Sequence, residues 1–165
     1  MGDGMSGFAI VEVPVLAGWL AICPMPGRWG DMHSDLAEVM AWAPDMVITL
    51  TGLAEMRALG ADHLGTALER HGLAWRHLPI VDYGLPGAAE QALWPTISAE
   101  ARAVLGRGGR VLVHCKGGCG RSGMIVLRLM VEAGEDADAA LARLRAVRPC
   151  AVETEAQMDW AVAGK

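Results

Sequence analysis

Lysine is nearly absent from this chain, occurring only at Lys116 and Lys165. Tyrosine and phenylalanine occur once each, at Tyr83 and Phe8. The formal net charge is −5, which argues against a nucleic-acid or anionic-membrane surface and leaves room only for a local basic site. No apolar run reaches the length of a membrane span. The opening stretch, MGDGMSGFAIVEVPV, has no basic n-region and no clean hydrophobic region, so no secretory signal is expected. Gly2 and Ser6 fit the short N-myristoylation pattern, but no basic patch or second lipid site follows them. Cys115 and Cys119 lie four apart with no second Cys/His pair at finger-like spacing, which argues against zinc. Together with Cys23 and Cys150 they are expected to be reduced thiols in a cytoplasmic protein.

What is present suits one globular domain over 1–165, with a short flexible N-terminus at about 1–8. Hydrophobic residues make up 53% of 165, enough for a real core. Abundant alanine and glycine, with arginine in place of lysine, suggest a bacterial GC-rich genome. Short strands are expected at Ala9–Val13, ending before Pro14, and at Trp19–Ile22. Ser34 is the expected cap of a helix through Met40 or Ala41. Met46–Leu50 has the continuous apolar pattern of a buried strand. Short helices are expected at Glu55–Leu59 and Leu64–His71, and a strand at Leu73–Pro79. Gly84, Pro86 and Gly87 make 82–87 a loop. A helix over Ala88–Leu105 should be disturbed at Pro95. Arg110–His114 is a strand, Arg121–Ala133 a helix apolar on nearly every face, and Asp136–Val147 and Thr154–Val162 amphipathic helices. The alternation predicts an α/β fold with a central, mostly parallel sheet flanked by helices.

One stretch contributes little to such a core: His114-Cys-Lys-Gly-Gly-Cys-Gly-Arg-Ser-Gly123. It joins the expected strand to the apolar helix. Backbone N–H groups in a loop of this kind can converge on an anion, and the helix N-terminus adds positive potential. Gly117, Gly118 and Gly120 permit backbone that a Cβ would forbid. Arg121 offers a planar fork for two phosphate oxygens. The same field should stabilise a Cys115 thiolate and lower its pKa from the free value of about 8.5. The loop thus combines a nucleophile with an anion cradle, the requirement for phosphoryl transfer through a cysteinyl-phosphate.

Cys115, five residues, Arg121 and Ser122, preceded by His114, resemble the signature of the cysteine-dependent protein tyrosine phosphatases. The chain is similar to the dual-specificity branch and, within it, to the kinase-associated phosphatase group (cyclin-dependent kinase inhibitor type). The stretches Leu20–Gly27, His77–Pro86 and Arg148–Gln157 carry the wider likeness, which spans about Trp19 to Trp160. The resemblance implies hydrolysis of phosphomonoesters on phosphotyrosine, and on phosphoserine or phosphothreonine, of proteins. It implies no metal and no cofactor, and a loop that also takes phosphate, sulfate or vanadate.

It further implies roles. Asp82 matches the general acid, which must hold a proton part of the time near working pH and then act as base on water. The residue also suits an Asx turn before Gly84. Ser122 would donate to the Cys115 sulfur as it leaves, or serve its own helix terminus. His114 would support the loop backbone. Gln157 would hold water, or with Thr154 form a helix cap. Arg148 would support the cradle. Lys116 matches one of two lysine positions in phosphoinositide phosphatases, whereas the second position is Cys119, which departs from that pattern. Cys119 would pair with Cys115 or Cys150 on oxidation, or act as a small buried side chain. Few aromatics are available to wall a deep phosphotyrosine pocket. Alternative readings are a phosphoinositide or phosphometabolite phosphatase, and a catalytically idle phospho-binding module.

Overall fold

The computed structural model describes residues 7–164, so the pattern at Gly2 and Ser6, like most of the expected flexible N-terminus, lies outside the described residues. The chain opens with a hairpin of strands β1 (Val11–Val15) and β2 (Gly18–Cys23), in which Val11 faces Ile22 and Val15 faces Gly18. Pro14 does not end β1. That strand is at the sheet edge, where a missing N–H leaves no ladder bond unmade.

Helix α1 (Met32–Trp42) is capped by Asp31, whose carboxylate accepts from Ser34 N at 3.0 Å. The expected cap, Ser34, therefore lies inside the first turn. The earlier start brings Asp35 inward, where its buried carboxylate accepts from Gly27 N at 2.7 Å and ties down the β2–α1 loop. Strand β3 (Met46–Thr49), helices α2 (Leu53–Ala58) and α3 (Leu64–Arg70), and strand β4 (Ala74–His77) follow. Helix α4 (Ala88–Gly106) continues through Pro95, whose ring points to solvent. After it come β5 (Arg110–His114), α5 (Gly120–Glu132), α6 (Ala137–Val147) and α7 (Glu155–Val162).

The sheet order is β1-β2-β5-β3-β4, with only β1 antiparallel. The expected α/β architecture with a mostly parallel sheet is what the chain adopts. Period-two alternation divides the core. Leu20, Ile22, Met46, Ile48, Val111 and Val113 face one layer with α4 to α7, while Ala21, Val47 and Leu112 face the other with α1 to α3. Helix α5 is buried on nearly all sides, Met124 to Leu127 being fully enclosed. This fixes its N-terminus at the carboxyl end of the central strand, where ligands bind in open α/β sheets.

Close packing under α5 depends on Gly123. A Cβ there would stand 2.5 Å from Val152 N and 2.8 Å from Ala151 Cα, both backbone. Gly123→Ala should therefore destabilise the protein by about 1–3 kcal/mol despite its better helix propensity, as read by denaturant unfolding.

Candidate active site

Strand β5 delivers His114 and Cys115 to the sheet's end, both nearly fully buried. The loop then turns at Gly118, which has φ +75°. A Cβ there would also lie 3.1 Å from the Cys23 carbonyl group and Pro24 N, so only glycine fits. Gly118 N–H donates to Cys115 Sγ at 3.3 Å.

A chain of hydrogen bonds supports Cys115 from below. Trp75 Nε1–H donates to Thr49 Oγ1 at 2.8 Å, and Thr49 is 2.7 Å from His114 Nε2. His114 Nδ1 lies 3.2 Å from the Cys115 carbonyl, an acceptor, so Nδ1 carries the proton and Nε2 accepts from Thr49. Burial pushes the imidazole down to about 4, and the charges of His77 and Arg121 add to it against the opposing carbonyl bond. The ring is therefore neutral, as a structural support requires.

Arg121, in the first turn of α5, has a nearly fully buried side chain. Its Nη1 donates to Glu55 Oε1 at 2.7 Å and to the Ile80 carbonyl at 2.9 Å, and its Nη2 to Glu55 Oε2 at 2.9 Å. Burial pushes Glu55 up, but hydrogen bonds from Arg121 and Gly52 N outweigh it and hold the carboxyl below its usual range. Arg121 Nε–H and Ser122 Oγ are buried and have no hydrogen-bond partner among the described residues. With the Cys115 thiol free, its sulfur accepts from Gly118 N–H.

The loop's back is held by Arg148, at the end of α6. Its Nε donates to the Gly118 carbonyl and its Nη2 to the Gly117 carbonyl, both at 2.8 Å. Cys119 is disulfide-bonded to Cys150, while Cys23 and Cys115 are free. The expectation of four reduced thiols is corrected here, and the alternative Cys115–Cys119 pairing is not the one formed. Cys150 lies two residues after Arg148, which is itself bound to the loop.

A cavity of about 520 Å³ opens over the loop, lined by Cys115, Lys116, Gly117, Cys119, Gly120 and Arg121 together with Arg28, Asp82, Tyr83 and Glu153. Asp82 is half-exposed, with Oδ1 3.6 Å from Arg121 Nη2 and accepting from Tyr83 N at 3.0 Å. Glu153 accepts from Gly120 N, and burial, followed by the charge of Asp82, holds its carboxyl above the usual range. Arg28 Nη1 lies 3.5 Å from the Lys116 carbonyl. Gln157 does not line the cavity. Its Oε1 accepts from Glu153 N and Thr154 N, completing a capping box, and its Nε2 donates to the Gly84 carbonyl at 3.2 Å. It joins α7 to the loop that carries Asp82.

Sequence reasoning missed Glu55, Glu153 and Arg28. A buried arginine demands a carboxylate, but nothing in the chain marks which of 19 acidic residues supplies it. Glu153 lay within the Arg148–Gln157 stretch that carries the family likeness, with no role assigned to it.

A strand-loop-helix with buried cysteine and arginine at this sheet position defines a cysteine-dependent, dual-specificity-type phosphatase fold. The sequence profile of the Tc-R-P family, described as a polymorphic toxin system DSP-PTPase phosphatase, matches residues 26–135. The chain belongs to that family. No curated protein sequence matches it. Among solved structures, kinase associated phosphatase with its catalytic-site cysteine replaced by serine superposes with a TM-score of 0.82 at 20% identity, over 98% of this chain and 99% of that one. Tk-PTP in its active form is 34% identical, with a TM-score of 0.64 over 86% of this chain and 87% of its own. PTPMT1 in complex with PI(5)P gives a TM-score of 0.71 at 19% identity, over 92% of each chain. The likeness to kinase associated phosphatase is one of fold.

Buried neutral His114 makes stability depend on pH. Unfolding frees it to bind a proton below its ordinary value of 6.5, whereas folded it resists protonation down to about 4. Its contribution is therefore complete above pH 6.5 and is lost as pH falls from there towards 4, by roughly 3 kcal/mol. Denaturant unfolding at stepped pH should show this loss, reduced in His114→Gln.

Proposed function

We propose that this chain hydrolyses phosphomonoesters on phosphotyrosine, and on phosphoserine or phosphothreonine, of proteins through a cysteinyl-phosphate on Cys115. The observation that carries the reading is Arg121. Its guanidinium is fixed on one edge by Glu55 and the Ile80 carbonyl, while the buried Nε–H has no protein acceptor among the described residues, beside a cavity lined by Cys115. A donor placed there suits the non-bridging oxygens of a phosphoryl group.

In this reading the Cys115 thiolate attacks phosphorus, the phosphorus–oxygen ester bond breaks, and the leaving oxygen takes a proton from Asp82. Arg121 and the amides of residues 116–121 hold the transferring oxygens. Water then attacks the cysteinyl-phosphate while Asp82 accepts its proton, and the sulfur leaves as thiolate with Gly118 N–H, and Ser122 nearby, to stabilise it. Glu153 is a second carboxyl at the cavity, and its raised pKa suits it to share the proton transfers. Gln157 acts on this scheme through the Asp82 loop rather than on water.

The half-exposed acid and the exposed Tyr83 at the rim suit a shallow site open to more than one phosphorylated side chain. A second reading, a phosphoinositide or phosphometabolite phosphatase, has one specific support: Arg28 and Lys116 adjoin at the same cavity and suit a second anionic group.

Turnover of p-nitrophenyl phosphate without added metal tests the first reading. Cys115→Ser should abolish it. Asp82→Asn should lower kcat by about 10²-fold and remove the basic limb of the pH profile. If Glu153→Gln removes that limb and Asp82→Asn does not, the acid is Glu153. A folded wild type that binds phosphate without turnover would instead be a phospho-binding module. In a substrate panel, kcat/KM should be higher for phosphotyrosine peptides than for soluble inositol phosphates, and the reverse order favours the second reading.

A further inference from the structure

The disulfide between Cys119 and Cys150 takes no part in the chemistry above, yet one of its sulfurs belongs to the phosphate loop. Both partners sit on segments that build the site. Cys119 is flanked by Gly118 and Gly120, whose amides contact Cys115 Sγ and the Glu153 carboxylate. Cys150 lies between Arg148, which holds the Gly117 and Gly118 carbonyls, and Glu153, which lines the cavity. Arg148 Nη2 also lies 3.4 Å from Cys119 Sγ, and Val152 N donates to the Cys119 carbonyl at 3.4 Å. The bond therefore spans 31 residues of sequence to fasten the loop to the segment that shapes its back and one wall.

The nucleophile is left out of the bond. Cys115 is free, and so is Cys23, whose thiol burial pushes well above its ordinary value. Oxidation of the pair thus leaves the attacking sulfur available, unlike a disulfide formed by Cys115 itself. Cys150 is only half-buried while Cys119 lies nearly buried at the cavity, so an oxidant or reductant reaches the pair first at Cys150.

From this placement we infer that Cys119 and Cys150 are a redox-modification site whose disulfide preorganises the phosphate cradle and raises its affinity for a phosphoryl dianion. The inference rests on the phosphate-binding part of the proposed function. A disulfide oxidant such as oxidised glutathione completes the step. The Cys150 thiolate attacks one glutathione sulfur, the glutathione S–S bond breaks, and one glutathione thiolate leaves. The Cys119 thiolate then attacks the Cys150 sulfur of the mixed disulfide, and the second glutathione leaves. Two protons pass from the protein thiols to the two departing thiolates, and two electrons pass to glutathione. With the bond formed, less loop ordering is left for the ligand to impose, which is how preorganisation raises affinity. With it broken, Arg148 and Val152 still hold the loop, so the reduced protein stays folded and binds more weakly.

The test uses the full chain equilibrated in glutathione buffers of different poise. Iodoacetamide labelling with mass spectrometry reads the thiols, and calorimetric titration with inorganic phosphate reads the cradle without requiring turnover. Oxidised native protein should label at Cys115 and not at Cys119 or Cys150, and reduction should expose those two. Phosphate affinity should fall by about tenfold on reduction, return on reoxidation, and stay at the reduced level in Cys150→Ser whatever the poise. Equal phosphate affinity in both redox states overturns the inference, as does a pair that stays unlabelled in every glutathione buffer. A redox-dependent affinity without turnover of p-nitrophenyl phosphate supports the inference while rejecting the hydrolase mechanism. Absence of phosphate binding in both states rejects both.

Discussion

The site is organised around the burial of one guanidinium. Arg121 sits almost without solvent at the start of a helix that is itself enclosed. A charge there is tolerated only when it is paired, and most of its donors are met. Glu55 meets two of them in a fork, and the Ile80 carbonyl a third. Each partner comes from a different part of the chain. Glu55 requires α2 to start at Leu53, with Gly52 N as a second anchor, and Ile80 requires the chain leaving β4 to pass beneath the loop. The same passage brings Asp82 to 3.6 Å from Arg121. The arginine thus fixes its own orientation and the position of the candidate acid.

The loop from Cys115 to Gly120 faces a complementary constraint. Its amides can converge on an anion only if its carbonyls are satisfied elsewhere. Arg148 takes those of Gly117 and Gly118, and Met25 N takes that of Lys116. The glycines permit the turn but do not choose it. The contacts behind the loop choose it, and the Cys119–Cys150 bond closes that set. Support for the site is therefore concentrated in the segment after α6, where Arg148, Cys150, Glu153 and Gln157 fall within ten residues.

Much of this was legible in the chain, and the misses share one cause. Helix α5 was expected because Met124 to Leu127 admit no polar face, and the parallel order because strands alternate with helices. The strand–loop–helix signature placed Cys115 and Arg121 together because those contacts are local. Pro14 was misjudged because position at the sheet edge, not local propensity, decides whether a proline is tolerated in a strand. Asp31 displaced Ser34 as a cap because Asp35 is drawn inward by Gly27 N. Gln157 was read as either water-holding or capping. The structure uses it for the cap and for a bond to the Gly84 carbonyl, a partner 73 residues away.

By itself the sequence determined the layer architecture and the loop that holds Cys115 and Arg121 together, since each is written in periodicity or in a short contiguous motif, whereas Asp82 was legible only through the family resemblance. Tertiary structure alone decided that Glu55 holds the arginine, that Glu153 joins Asp82 at the cavity, and that Cys119 pairs with Cys150 rather than with Cys115. These are choices among chemically equivalent partners, and only the folded path of the chain sets which of them comes within bonding distance.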